Sequence, residues 1–248
     1  MLPWLVILAT LVMWELLCVV LKIQVFVLPA PTDVVMSLMK YPQAVLINAL
    51  HTLITTLAGF GLAVIFGVVL GLVIGASRTI YDGLYPLMIA FNSVPKVAIV
   101  QVLVIWFGIG AVPAVITAFA ISFFPIVVNV ATGLATIEPE LLDVLRVLGA
   151  RKRQILIKIG LPRAMPYLFA SLKVSITLAF IGSIVAETVA SNSGIGYLMI
   201  AASARFDVPL VFAGLLVTAA MGVILYEFFA VLERRVTFWA ARADGIVT

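Results

Sequence analysis

The chain has 248 residues, of which 65% are apolar and 10% charged, and its formal net charge is +4. This composition excludes an ordinary soluble domain: a bilayer core takes about 20 apolar residues per helix, and the sequence holds several such runs. One cysteine, Cys18, lies inside an apolar run, which excludes a disulfide or a Cys-based metal site, and the single histidine and few carboxylates argue against hydrolytic chemistry.

The expected fold is all-α, a polytopic membrane protein with about six transmembrane helices. No repeat in the range of about 20–50 residues and no low-complexity linker divides it, so residues 1–248 read as one domain. Residues 4–23 form the first span. No basic residue precedes it and no small-residue cleavage site follows, so it reads as a retained span and not a signal peptide. Glu15 lies within it, with Lys22 two turns on along the same face; a partner helix or the interface accounts equally well for Glu15. Residues 28–42, LPAPTDVVMSLMKYP, interrupt the apolar pattern. There a Thr32–Asp33 cap opens a short amphipathic helix that ends before Pro42 and is expected along the outer surface.

The second span, 45–75, is longer than a bilayer needs and so is tilted or extended. His51, Thr52, Thr55, Thr56 and Gly59 make a polar and small stripe along it, read as a helix-packing seam. A short turn at 77–83 carries Arg78. The third span, 85–107, contains Asn92, Ser93, Pro95, Lys96 and Gln101. Proline frees a backbone carbonyl, and a lysine at membrane depth costs several kcal/mol unless solvated or paired. A bent helix facing a water-filled path explains this better than a snorkelling lysine, because Lys96 lies too deep. Asn92, Lys96, Gln101 and, from the fifth span, Glu187 are therefore the candidate translocation-path residues.

Residues 108–113 form a tight turn, and the fourth span, 114–135, carries Pro125 and Asn129. The fifth span, 166–190, has Lys173 near its start, expected to snorkel, and Glu187 near its far end, just before the Gly/Ser-rich turn SNSGIGY. The sixth, 208–231, runs to Glu233, Arg234 and Arg235, with Glu227 near the interface.

Between the fourth and fifth spans lies the one long polar stretch, 138–166. It gathers Glu138, Glu140, Asp143, Arg146, Arg151, Lys152 and Arg153, acids leading and bases trailing as a helix dipole prefers. Leu141, Leu142, Leu145 and Leu148 form one apolar stripe, expected to face the protein's own span ends, with Glu140, Asp143, Arg146 and Val147 opposite. Gly149 stops this helix by supplying a left-handed C-cap. A second short helix over 151–160 ends at Leu161 and Pro162.

This stretch resembles the cytoplasmic loop of permease subunits of ATP-binding-cassette importers, whose signature is Glu-Ala-Ala, three residues, Gly, nine residues, Ile, one residue, Leu-Pro. Asp143 takes the Glu position, and Gly149, Ile159, Leu161 and Pro162 match, while Val144 and Leu145 stand where the family has alanines. SVPKVAIVQVLVIWFGIG and FIGSIVAETV resemble the nitrate, sulfonate and taurine branch of these type I importers. The resemblance implies that Glu140, Asp143, Arg146, Val147, Gly149, Ala150, Ile159, Leu161 and Pro162 couple the chain to an ATPase. It also implies a pair of ATPase subunits, an external substrate-binding protein and a second permease copy, and a small solute such as an anion, or alternatively a pyrimidine-type thiamine precursor. No nucleotide-binding motif occurs: G-x-x-x-x-G-K-[ST] is absent, so ATP and Mg are expected on the partner, with no cofactor in this chain and no enzymatic activity of its own.

Ten of the 15 basic residues fall on the side of the 138–166 loop and three, Lys22, Lys40 and Arg205, on the other. The positive-inside bias puts the loop and both termini in the cytoplasm of a bacterial inner-membrane protein. A secondary transporter using Lys96, Glu15 and Glu187 as ion carriers is the competing class, but it usually shows internal repeats and paired broken helices, which the sequence lacks. An assembly factor would need neither Lys96 nor Glu187. The loop decides for the ATP-driven importer.

Overall fold

The computed structural model describes residues 2–76, 78–135, 147–150 and 152–237. Among them the elements are α1 (Leu2–Val20), α2 (Pro31–Lys40), α3 (Pro42–Gly75), α4 (Arg78–Ser93), α5 (Lys96–Phe107), α6 (Ala111–Ala135), α7 (Lys152–Ile155), a π-turn (Leu156–Gly160), α8 (Leu161–Ala190), α9 (Ile195–Ser203) and α10 (Val208–Val236). The all-α expectation holds: no strand occurs among the described residues. Helices α3, α6, α8 and α10 are each long and apolar enough to cross a bilayer, and α1 and α5 are shorter apolar helices.

The expected third span is two helices, not one bent one. Pro95 has no N–H to donate and disfavours helical φ/ψ at Val94, so α4 ends at Ser93 and α5 begins at Lys96. The fifth span starts earlier than its hydropathy suggests, at Leu161. The stretch between the fifth and sixth spans holds a helix of its own, α9, which the turn signal of SNSGIGY hides.

The core is a three-helix stack. A Cβ on Gly59 would lie 2.6 Å from Ala118 Cβ, and one on Gly71 would lie 2.7 Å from Val130 Cβ, so only hydrogen fits where α3 meets α6. Lipid is as apolar as leucine, and such close backbone approach gives van der Waals contact that lipid cannot match. Helix α8 closes the stack, burying Ile176 and Ala179 with Phe60, Ala63, Ala118 and Ile126. Helix α10 joins through Leu225 and through Phe229, whose ring meets Phe60 edge-on at 5.1 Å.

Two charged groups in the apolar layers have partners that the sequence does not show. Glu15 of α1 accepts from the Thr32 hydroxyl at 2.8 Å and the Thr32 N–H at 3.1 Å, so it completes the first turn of α2. The Thr32–Asp33 cap is thereby redistributed: Asp33 accepts from the Ala30 N–H, and Thr32 is capped from α1. Lys173 does not snorkel freely. It forms an ion pair with Glu233 of α10 at 2.5 Å, both side chains about one-fifth exposed.

The bundle has two distinct ends. Val34, Val45, Ile195, Ala202, Leu210 and Ala213 form one cluster, which gathers α2, α9 and the starts of α3 and α10 at one end. The opposite end carries residues 147–150 and 152–160 and the end of α10 with Arg234 and Arg235.

Candidate functional site

Three sets of polar residues stand out of this apolar frame. The first is the loop. Glu140, Asp143 and Arg146 lie outside the described residues. Val147 and Leu148 are 88% and 76% exposed, so the last leucine of the stripe does not bury against the protein's own span ends. Gly149 has φ +79, the left-handed conformation of a helix C-cap, with nothing among the described residues within 4 Å of where a Cβ would stand. Ala150 is half-buried, Leu161 half-buried and Pro162 exposed. Ile159 lies in the π-turn, not in a regular short helix, and Ile155 is buried beside it. The turn widens just before Pro162, whose missing N–H leaves the carbonyl of residue 158 without its α-helical partner. No break separates it from α8, so the loop is continuous with a 30-residue helix of the core.

The second set sits at the α4–α5 break. Lys96 donates to the carbonyls of Asn92 and Val94, the negative end of α4, which is where a helix dipole favours a cation. Asn92 and Gln101 are exposed and Lys96 is half-buried. Helix α5 rises from Lys96 to the 108–110 turn, where the Gly110 N–H donates to Ala190 O at the end of α8. At 1.5 Å per residue, α5 sets Lys96 roughly 17 Å from that turn, about half the thickness of a hydrocarbon core of about 30 Å.

The third set is not assembled by sequence reasoning. Glu187 is 2% exposed within the single chain. Its Oε2 accepts from the Thr52 hydroxyl at 2.8 Å and from the Gly196 N–H at 3.1 Å, and its Oε1 lies 3.4 Å from the hydroxyls of Thr55 and Ser183, which are themselves 2.5 Å apart. Thr52 also accepts from the Ile195 N–H at 2.8 Å, and Asn48 Oδ1 accepts from the Gly194 N–H at 2.8 Å. Ser193 Oγ meets His51 Nδ1 at 3.1 Å. The carboxylate thus sits over the first turn of α9, satisfying backbone N–H groups that a helix start leaves open. The signal is present as the 48, 52, 55 spacing on α3, one helical face, but its partners lie more than 100 residues away.

An all-α bundle with four helices long and apolar enough to cross a membrane, a third span divided at Pro95 and a segment rooted in core helix α8 has the architecture of a polytopic membrane protein. The chain belongs to the family of binding-protein-dependent transport system inner membrane components, whose model matches residues 63–238. It is similar to a probable ABC transporter permease of Haemophilus influenzae, at 30% identity over 90% of this chain and 91% of that one. It is also similar to the formylaminopyrimidine transport permease ThiX of Halalkalibacterium halodurans, at 27% identity over 96% and 95% of the two chains. A putative aliphatic sulfonates transport permease, SsuC of Bacillus subtilis, is 27% identical over 94% of this chain and 85% of its own. In fold it resembles a chain of the MetNI methionine ABC transporter in an inward-facing conformation, with a TM-score of 0.66 at 18% identity over 77% of this chain and 94% of that one. The protein is an ABC importer permease with multiple membrane-spanning helices.

Proposed function

We propose that the chain is the single-domain membrane subunit of an ATP-driven importer that works as a symmetric pair, with two ATPase subunits gripping the 138–162 loop from the cytoplasm and an external binding protein delivering the solute. ATP and Mg bind the ATPase partner, and this chain supplies the path and the lever. The observation that carries the reading is the loop itself: a signature-spaced segment whose exposed Val147 and Leu148 precede a left-handed Gly149 and whose far end runs without a break into core helix α8. Residues 138–163 and both termini then face the cytoplasm, and 28–42 and 191–207 face outward. Expression with the cognate ATPase subunits should retain those subunits on the membrane, and impermeant maleimide should label cysteines placed at Asn192 and Met39 from outside but one at Val147 only after permeabilisation. Labelling of Val147→Cys in intact cells would overturn the orientation.

The solute is proposed to be a small anion such as a sulfonate, taurine or nitrate. The sulfonate permease relative supports this reading, and so does a lysine held beside the break between α4 and α5. The formylaminopyrimidine permease relative favours a pyrimidine-type thiamine precursor as the second reading. Asn92, Lys96 and Gln101 are assigned to the path. Lys96→Ala should lower uptake of labelled taurine or nitrate roughly tenfold, the effect of losing an interaction of about 1.4 kcal/mol, while leaving assembly unchanged. Equal uptake by the variant and the parent would remove Lys96 from the path.

A further inference from the structure

Helix α8 has the coupling loop at one end and Glu187 at the other. A 30-residue helix spans roughly 45 Å, so α8, with Pro166 in its second turn, runs unbroken from the loop to the far end of the bundle. At its outer end the only buried carboxylate among the described residues is committed to α9 and α3, through the Gly196 N–H and the Thr52 hydroxyl. Thr52 bridges both partners, since it donates to Glu187 and accepts from the Ile195 N–H. The backbone at this contact leaves no room for a side chain: a Cβ on Gly194 would overlap the Glu187 carboxyl group, and one on Gly196 would stand 2.6 Å from Ile184 O. The 191–203 segment is therefore fastened to α8 at its N-terminal end and folded back against the bundle's outer end.

We infer that Glu187 is a positioning residue of the transport cycle, which ties the outer segment 191–203 to α8 and α3 so that motion of α8, started at the loop, carries that segment with it. The inference rests on the importer reading above. Closure of the ATPases then bears the load of moving the outer segment, and a broken tie lets closure proceed without it. A purely structural contact would make the same bonds but would not control hydrolysis.

The test uses the permease–ATPase complex reconstituted in liposomes, with basal ATP hydrolysis measured in the absence of any binding protein or solute, for Thr52→Val, Thr52→Ser and Glu187→Gln. Valine keeps the shape of threonine and removes the bridging hydroxyl; serine keeps the hydroxyl. Thr52→Val and Glu187→Gln should raise basal hydrolysis about tenfold, within the usual range of coupling between sites, while Thr52→Ser stays near the parent rate. Unchanged hydrolysis in the valine and glutamine variants would overturn the inference. So would a serine variant that behaves like valine, since volume would then be the cause. Failure of the valine and glutamine variants to assemble, with normal assembly by serine, would also overturn it, because the cluster would be holding the fold and not the cycle. A parent complex that binds no ATPase at all would instead overturn the importer reading.

Discussion

Replacing Gly194 by alanine is expected to lower the melting temperature of the detergent-purified protein by about 10 °C, a cost of about 3–5 kcal/mol for a chain of this size. Two terms add. Gly194 has φ +102 and ψ 161, a region essentially confined to glycine, and holding an alanine there costs about 1–3 kcal/mol. Its Cβ would also enter the Glu187 carboxyl group, overlapping Cδ and both carboxylate oxygens. Moving Glu187 aside abandons its bonds to Thr52 and Gly196; the Thr52 hydroxyl keeps Asn48 O at 3.2 Å as an acceptor, but the buried Gly196 N–H is stranded, at about 1–3 kcal/mol. Gly61 supplies the control. It lies in the interior of α3 with nothing within 4 Å of its would-be Cβ, so Gly61→Ala should leave the melting temperature unchanged or slightly higher, by the ordinary helix preference of alanine. Equal melting temperatures for the two variants, read by intrinsic fluorescence, would show that the 191–196 turn does not depend on its glycine.

How far the sequence can reach is set by how local each cause is. The spans are legible because burial in lipid acts on every residue of a run, and α3, α6, α8 and α10 emerge within a few residues of their hydropathy limits. Gly149 is legible because a C-cap is a local device, and its φ of +79 is what a stop after Leu148 requires. Lys96 reads as too deep to snorkel, but its partners do not show: the carbonyls of Asn92 and Val94 become available only because Pro95 ends α4 outright. Lys173 misleads for a related reason. A lysine near a helix start has an easy route to water, and only the packing of α8 on α10 shows that Glu233 reaches it first. Glu187 is the hardest case. Each of its neighbours has a bland explanation alone, threonines as a packing seam and SNSGIG as a turn, and only the fold brings Thr52 to it across 135 positions.

Substitution at Gly149 should separate coupling from membrane insertion in a graded way. The position is left-handed, with no atom of the described residues within 4 Å of a would-be Cβ, so among them the cost of a side chain there comes from the backbone. For L-residues that cost is about 1–2 kcal/mol, lower for asparagine, whose short amide is tolerated in this region, and higher for a β-branched residue. The expected order of impairment is therefore Gly149→Asn, then Gly149→Ala, then Gly149→Val, which does not follow side-chain volume, since alanine is smaller than asparagine. An altered turn here redirects Val147 and Leu148, which are exposed and so free to enter an ATPase cleft, relative to the π-turn and α8. Asp143→Lys, reversing the charge at the Glu position of the signature, should weaken docking as well, more visibly at low salt because salt screens charge pairs. The spans do not depend on any of these residues, so membrane yield should stay at the parent level throughout. The measurement is the fraction of ATPase co-purifying with each permease variant, beside the ATP hydrolysis rate of the recovered complex in liposomes. With Gly149→Val, co-purified ATPase should fall about tenfold, the consequence of about 1.4 kcal/mol lost from docking, and Gly149→Asn should retain most of it. An impairment order that tracks volume, with asparagine worse than alanine, would mean that the loop packs against a surface at this point and that its backbone geometry is not what the partner reads.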